Sequence, residues 1–116
     1  MRIETGNLEI LNGKNPERKG WIIGTFIPED SLMHSSACEV KWATHPKGLQ
    51  KKAGTNLDSR VRTMIILISG KWLTRFLGDG KEVILSKPGD YLIYEGASHE
   101  NEALEDSQMM IVRWGA

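Results

Sequence analysis

The sequence WLTRFLGDGKEVIL, residues 72–85, indicates the fold class most directly. Two short runs rich in apolar and β-branched residues, Trp72–Leu77 and Glu82–Leu85, lie on either side of the turn sequence GDG at 78–80. Glycine and Asp-Gly readily adopt the positive φ angles that a tight hairpin turn requires. This segment therefore predicts an antiparallel β-hairpin.

Similar short runs occur on both sides of the hairpin, separated by glycine or proline at nearly regular intervals, which is typical of antiparallel β-structure. The further predicted strands are Trp21–Ile27, Cys38–Thr44, Thr63–Ser69, Tyr91–Glu95 and Gln108–Trp114, with a weaker one between Leu49 and Leu57. No segment has a helical stripe over three turns, although residues 7–19 and 28–35 fit short helical pieces or surface loops. Seven or eight short strands in one small domain favour a barrel or jelly roll, which protects strand edges.

Composition excludes several classes of protein. A chain of 116 residues is one ordinary domain, and its 15 basic and 15 acidic residues give no overall cationic field for nucleic acid or an anionic membrane. The longest apolar run, residues 64–68, is far shorter than the ~20 residues of a membrane-spanning helix. The single cysteine, Cys38, cannot form the intrachain disulfide of an immunoglobulin-like sandwich, and it fits a reducing compartment. We therefore expect a cytoplasmic jelly-roll protein.

Two stretches of sequence carry a family resemblance. Residues 87–99, KPGDYLIYEGASH, with the acidic stretch 102–107 that follows, resemble the second conserved motif of the cupin superfamily. Residues 63–72, TMIILISGKW, look like the strand, glycine turn and strand that close the first cupin motif, and residues 80–83 match the hairpin that links the motifs. The resemblance covers residues 37–114.

Residues 20–24 and 39–45 also look like a group of short, single-domain, functionally uncharacterised bacterial cupins. The resemblance implies an all-β double-stranded β-helix, that is, a jelly-roll barrel. It further implies that residues 1–116 form a single cupin domain, with the conserved barrel at about 37–114 and an N-terminal strand at 20–27 added to it.

The first motif departs from that of metal-binding cupins, which resembles His-x-His followed by a glutamate and a glycine. Counting back from Gly70 places Thr63 at the glutamate position and residues 56–59 in the region of the two histidines. Only His99, in the second motif, matches a ligand position of the family. The resemblance therefore implies a degraded metal site.

Substitute ligands are present in the sequence. His45 ends a predicted strand and could reach the barrel, and Asn56 or Asp58 could add an oxygen donor. With His99 these side chains could hold a divalent cation such as Zn, Fe, Mn or Ni. In the other interpretation, His45 caps a strand before Pro46 and His99 forms a hydrogen bond inside the barrel.

Charged residues are unevenly distributed. Residues 41–62 contain six basic side chains and one acid, whereas residues 95–106 contain five acids and no lysine or arginine. Two solvated loops of opposite sign would explain this pattern. Alternatively Lys51, Lys52, Arg60 or Arg62 contacts an anionic ligand, and Arg60 and Arg62 alternate on one face of a strand that could lean inward.

The remaining candidates are aromatic residues, a histidine and the cysteine. Trp42, Trp72 and Tyr94 lie on predicted strands, where they either pack in the core or form an apolar wall for a sugar ring, heterocycle or aromatic acid. His34 lies in a polar stretch typical of a solvated loop. Cys38 opens an apolar strand and is expected to be a small buried hydrophobe rather than a nucleophile.

The sequence supports two functions and leaves open whether the protein is an enzyme. The favoured function is binding of a small polar or anionic metabolite in the barrel. The alternative is a metal-dependent cupin enzyme of the isomerase, epimerase, lyase or oxygenase type, with His99 and His45 as ligands or as acid and base. The predicted pocket residues are His99, His45, Asn56, Asp58, Arg60, Arg62, Thr63, Trp42, Trp72 and Tyr94.

We also expect a homodimer formed by strand edges or by exchange of the unpaired first strand, residues 21–27.

Overall fold

A computed structural model describes residues 1–52 and 60–115 of the chain. Its elements are helix α1 (Leu8–Lys14), a 3-10 turn (Pro16–Arg18) and strands β1 (Trp21–Ile23), β2 (Cys38–His45), β3 (Gln50–Lys51), β4 (Val61–Ser69), β5 (Trp72–Phe76), β6 (Glu82–Leu85), β7 (Tyr91–Glu95), β8 (His99–Ala103) and β9 (Ser107–Gly115). The strands form a five-stranded sheet, in the order β1-β2-β9-β4-β7, and a four-stranded sheet, in the order β3-β8-β5-β6. All pairs are antiparallel, and the jelly-roll prediction is confirmed.

The core lies between the two sheets. The five-stranded sheet contributes Ile65, Leu67 and Met109, which are at most 2% exposed, and the four-stranded sheet contributes Trp72 and Leu85. Side chains alternate between the two faces of a strand, so the inward residues of β4 are Thr63, Ile65 and Leu67. The apolar members of this inward row hold the sheets together.

Most predicted strands are present, with three differences. The first strand is shorter than predicted, and it is paired with β2 rather than unpaired. Strand β8, His99–Ala103, was not predicted, because its inward residues are mostly polar. The weaker strand between Leu49 and Leu57 corresponds in part to β3, and its portion after residue 52 lies outside the described residues.

Helix α1 lies against the outer face of the five-stranded sheet. Asn7 caps the helix by accepting hydrogen bonds from the backbone N–H groups of Glu9 and Ile10. One carboxylate oxygen of Glu9 then accepts hydrogen bonds from Trp42 Nε1 at 2.8 Å, Thr44 Oγ1 at 2.7 Å and Gln108 Nε2 at 2.9 Å. These bonds lower the pKa of Glu9 and attach the helix to β2 and β9. Residues 28–35, the other predicted helical candidate, form turns instead.

The connection between β4 and β5 depends on Gly70. Its φ angle of 93° lies in the left-handed region that glycine adopts without strain. A Cβ atom there would overlap the backbone oxygen of Asp106 and lie 2.7 Å from Ser107 Cα. Close approach of two backbones therefore requires glycine at this position.

No helix in the described part of the chain has the length and apolar character needed to cross a membrane.

Candidate functional site

A cavity of about 150 Å³ lies between the two sheets. Its walls come from both sheets: Trp21, Lys41, His45, Thr63, Ile65, Tyr94, Ile111 and Arg113 from the five-stranded sheet, and Lys51, Trp72, His99 and Asn101 from the four-stranded sheet. Among these described residues three are cationic and none is acidic. The cavity is therefore electropositive.

The period-two geometry of the strands explains how charged side chains reach the interior. In β2, Lys41 shares a face with the buried Ala43, whereas Trp42 points to the opposite face, towards α1. In β9, Arg113 shares a face with the buried Met109 and lies opposite the inward Thr63 of β4. Lys41 and Arg113 thus lie on the inward faces of their strands, beyond the buried apolar residues, and line the cavity.

Lys41 is the most strongly perturbed cation of the cavity. Burial, together with the charge of Lys51, a hydrogen bond with Lys51 and the charges of Arg113 and Lys19, lowers the pKa of Lys41 to about 8. Each of these causes disfavours a charged ammonium group. Near neutral pH, Lys41 is therefore closer to losing its proton than an exposed lysine is.

Arg113 is held in place by an aromatic ring and a carboxylate. Its guanidinium carbon lies 4.1 Å from the centroid of the Trp21 ring, a cation–π distance. One of its terminal nitrogens lies 3.7 Å from a carboxylate oxygen of Glu39, and both side chains are partly exposed. The ion pair uses a terminal nitrogen of the guanidinium and not Nε.

Two donors at the cavity lack an acceptor. Among the described residues, Arg113 Nε and Trp72 Nε1 are buried N–H groups with no hydrogen-bond partner. Leaving a buried donor unpaired costs about 1–3 kcal/mol. Both belong to side chains that line the cavity, so a ligand with acceptor oxygens could satisfy them.

His45 is a neutral group in this positive environment. Its ring stacks on that of Trp72, with centroids 5.2 Å apart and an angle of 23° between the planes. Burial and the charges of Lys51 and Lys41 lower the pKa of His45 to about 4. At neutral pH the ring is therefore uncharged and can both donate and accept a hydrogen bond.

A chain of hydrogen bonds crosses another wall of the cavity. The hydroxyl of Tyr94 lies within hydrogen-bond distance of His99 Nε2, at 3.1 Å, and the side chain of Thr63 also hydrogen-bonds to it. Nδ1 of His99 lies 3.0 Å from the carbonyl oxygen of Ala97, which can only accept, so Nδ1 carries a proton. Burial raises the pKa of Tyr94. The phenol therefore remains protonated and its orientation is defined.

Asn101 adds a further polar group. Thr74, which is completely buried, donates its hydroxyl to Asn101 Oδ1 at 2.8 Å. This bond orients the amide, so the N–H₂ group is the polar end that Asn101 contributes to the cavity wall. Lys41, Lys51, Arg113, Trp72 and Asn101 thus all offer donor groups to the cavity.

The described donors do not fit a divalent metal. Both ring nitrogens of His99 are engaged, one by Tyr94 and one by Ala97. His45 lies beside Lys51 and Lys41, whose positive charges oppose a nearby cation. Within residues 1–52 and 60–115, no three His, Cys, Asp or Glu side chains are grouped closely enough to hold a metal.

The structure brings together half of the predicted pocket residues. His45, His99, Thr63, Trp72 and Tyr94 all line the cavity. Asn56 and Asp58 lie outside the described residues.

Three predicted pocket residues, Trp42, Arg62 and Arg60, do not line this cavity. Trp42 lies on the outer face of β2, where its Nε1 donates to Glu9. Arg62 also lies on an outer face, opposite Glu95 in the register of β4 and β7, and its Nε is 3.6 Å from that carboxylate. Arg60 is exposed and does not line the cavity. The alternation that puts Thr63 inside necessarily puts Arg62 outside.

Sequence reasoning missed Lys41, Arg113, Trp21 and Asn101, and it raised Lys51 only as one of several basic residues. The available signal was the alternation itself, because Lys41 occupies the same strand face as Ala43 and His45. Both faces of β2 and β9 carry apolar residues, so hydrophobicity did not show which face was inside.

A larger concavity, of about 750 Å³, lies outside the barrel between α1, the N-terminal segment and residues 27–33. It is lined by Leu8, Leu11 and Ile27 together with Glu4 and Asp30. None of the aromatic or cationic residues of the barrel cavity contributes to it, so the two are separate.

Comparison with known proteins identifies the fold. A protein from Salinispora arenicola described as a Cupin 2 conserved barrel domain protein superposes with a TM-score of 0.60 at 19% identity, covering 78% of this chain and 72% of that one. A cupin superfamily protein from Desulfitobacterium hafniense gives a TM-score of 0.59 at 14% identity, covering 71% of each chain. The DMSP lyase DddQ from Ruegeria pomeroyi gives 0.57 at 18% identity, covering 72% of this chain and 40% of that one.

The protein therefore has the fold of a small cupin-type barrel. No family model and no curated protein matches the sequence. At 14–19% identity the structural likeness shows the fold and does not transfer any activity.

Proposed function

We propose that this barrel binds a small anionic metabolite, such as a carboxylate or a phosphate, in the cavity between its sheets. The observation that carries the proposal is the set of three cations, Lys41, Lys51 and Arg113, around a cavity whose described walls contain no acid. An anion would offset their mutual repulsion and accept hydrogen bonds from Arg113 Nε and Trp72 Nε1.

The size of the cavity limits the ligand. At about 150 Å³ the cavity is small, which favours a ligand of a few carbon atoms. The rings of Trp72, Tyr94 and Trp21 supply apolar surface, so the ligand need not be charged along its whole length.

Binding is expected to depend on pH through Lys41. An anion beside Lys41 raises the pKa of that amine from about 8, because the anion favours the charged form. The complex then holds more protons than the free protein, so affinity declines as pH rises above about 8. His45 stays neutral throughout this range and does not contribute to the dependence.

The test is calorimetric titration with inorganic phosphate, acetate, lactate and an uncharged polyol. We expect binding of at least one anion and none of the polyol. Lys41→Met should weaken that binding about tenfold or more, since a charge-assisted hydrogen bond is worth about 1.5–3 kcal/mol. Lys81→Met is the matched control, because Lys81 is exposed and lies away from the cavity.

An anion affinity equal in Lys41→Met and in the unaltered protein would contradict the proposed site. So would tight binding of the polyol together with indifference to all three anions. A measurement at pH about 9.5 adds a second readout, because the affinity of the unaltered protein should fall there while that of Lys41→Met should not.

The same proposal includes a homodimer and a cytoplasmic location. Tyr91 and Ile93 of the edge strand β7 are 61% and 46% exposed on the outer face of the five-stranded sheet, and a second copy of the chain would cover them. The lone Cys38 supports the cytoplasm, where thiols stay reduced.

A further inference from the structure

We infer that the bound anion is a small 2-oxo acid and that the amine of Lys41 captures its ketone carbon as a Schiff base. This inference rests on the proposed anion site and adds a covalent step to it. Its basis is a confined lysine amine, flanked by two further cations and a neutral histidine, at the wall of one cavity.

The side chain of Lys41 is tightly confined. Its stem passes over the backbone of Gly20, where an added Cβ atom would lie 3.3 Å from Lys41 Cε. Its Nζ atom lies 5.6 Å from the centroid of the Trp21 ring. Residues 20 and 21 therefore restrict the half-buried side chain of Lys41 at the cavity wall, and partial desolvation beside other cations is one setting of a nucleophilic lysine.

A nucleophilic lysine must also be neutral. Lys41 lines the cavity together with Lys51 and Arg113, and neighbouring positive charges disfavour a further ammonium group. Burial and the neighbouring positive charges lower the pKa of Lys41 to about 8. Near pH 7.5 a larger fraction of Lys41 than of an exposed lysine is therefore the neutral amine.

The charged groups around Lys41 come from each element packed against it. Lys19 precedes β1, Lys51 belongs to β3 and Arg113 to β9, and all three disfavour a charged Lys41. The carboxylate of Glu39 is directed to Arg113, at 3.7 Å. His45, on the same face of β2 as Lys41, is neutral at this pH.

Different side chains of the cavity would bind the carboxylate and the ketone of the ligand. Arg113 and Lys51 offer positive charge to the carboxylate of a 2-oxo acid, and the guanidinium does so with planar N–H groups. With the carboxylate held there, the adjacent ketone carbon can face Lys41, since only one bond separates the two carbons. The hydroxyl of Tyr94, which is oriented by His99, lies in the wall of the same cavity.

The covalent step is balanced without an oxidant or reductant. The lone pair of neutral Lys41 Nζ forms a C–N bond to the ketone carbon, and the carbonyl π-electrons move to oxygen, which takes up a proton. The resulting carbinolamine loses its hydroxyl as water. Overall, one amine and one ketone give one imine and one water, and both hydrogens of that water derive from the amine.

The experiment traps the imine with a hydride donor. The protein is incubated with pyruvate and cyanoborohydride at pH about 7.5, and the modified lysine is located by peptide mass mapping. We expect a single adduct of composition C₃H₄O₂ on Lys41, formed about tenfold or more faster than on any exposed lysine, because more of its amine is neutral. Lactate, which has the carboxylate but no ketone, should protect Lys41.

Matched variants identify the nucleophile. Lys41→Arg keeps the positive charge and should form no adduct in the cavity, whereas Lys51→Arg should still be modified at Lys41. An adduct on Lys51 in Lys41→Arg at the original rate would overturn the assignment to Lys41. The protection by lactate is measured on the unaltered protein, so the test does not depend on the folding of any variant.

The remaining outcomes separate this inference from the proposed function. Calorimetric binding of lactate or pyruvate without any adduct would overturn the covalent step and leave the anion site standing. Absence of both binding and adduct would overturn the two together. Uniform modification of the exposed lysines, or equal trapping of acetone and pyruvate on Lys41, would overturn the assignment to a 2-oxo acid.

Discussion

Lys41 holds a position that reduces the stability of the fold. In the unfolded chain its pKa returns to the ordinary value of 10.5, whereas the folded barrel holds it at about 8. Between these values the unfolded state binds more protons, so stability rises as pH increases from about 8 towards 10.5. Below pH 8 the full penalty of a charged, half-buried ammonium group remains.

Lys41→Met should therefore stabilise the protein near pH 7. We expect a gain on the order of 1 kcal/mol in the free energy of unfolding, a figure reduced for the solvent that screens a partly exposed amine. Urea unfolding at several pH values measures this gain, which should shrink as pH approaches 10. Lys81→Met serves as control and should show neither effect. A destabilised Lys41→Met at pH 7 would refute the prediction.

The predicted pocket residues are divided between the cavity and the outer face of the five-stranded sheet. His45, His99 and Thr63 were expected at the site, and all three line the cavity. Trp42 was expected there because it is aromatic and lies on a strand, but its Nε1 donates to Glu9 on the outer face. Residue type suggests which side chains could serve a site, but strand phase decides which of them point into it.

At the scale of elements, the turn between β4 and β5 can be tested directly. Gly70→Ala places a methyl group against the backbone of Asp106 and Ser107 and forces alanine into the left-handed region. We expect a loss of about 2–4 kcal/mol in the free energy of unfolding. Denaturant unfolding measures it.

Gly78→Ala is the matched control for the turn. Nothing lies within 4 Å of a Cβ atom added at Gly78, so its effect should stay within about 0.5 kcal/mol. Equal stabilities of the two alanine variants would show that the close approach at Gly70 is not a constraint on the fold.

Strand β8 was not predicted from the sequence, because its inward face is mostly polar. Its inward residues are His99, Asn101 and Ala103, and its outward residues are Glu100 and Glu102. A strand search looks for apolar residues at alternate positions, but here two of the three inward positions carry the polar groups of the cavity. The side chains of β8 alternate between the inward and outward faces, as in any strand, but its inward face is mostly polar.

At the scale of the whole molecule, the neutral net charge conceals a separation of charge. The 15 basic and 15 acidic residues cancel in sum, yet Lys41, Lys51 and Arg113 converge on the cavity. Glu95, Glu100 and Glu102 of the acidic stretch lie on outer faces, where Glu95 and Glu100 pair with arginines. The total charge therefore gives no indication of the potential inside the barrel.

Assembly is the prediction that belongs to this scale. We expect light scattering at tens of micromolar to report a dimer, and Ile93→Lys to shift it towards the monomer by placing charge on the exposed face of β7. Ile84→Lys is the control, because Ile84 is similarly exposed, at 50%, on the other sheet. A monomer in the unaltered protein, or a dimer that only Ile84→Lys disrupts, would contradict the proposed interface.

The sequence by itself determined the fold class and the position of the key turns. The GDG hairpin, Gly70 and the spacing of the strands act locally, through backbone angles and alternation, and such signals can be read along the chain. Only the tertiary structure decided which strand faces meet. Residue 113 is far from residues 41 and 51 in sequence, and the three cations meet because β2, β3 and β9 line the same cavity. The depressed pKa of Lys41 follows from that burial and proximity, which no local pattern contains.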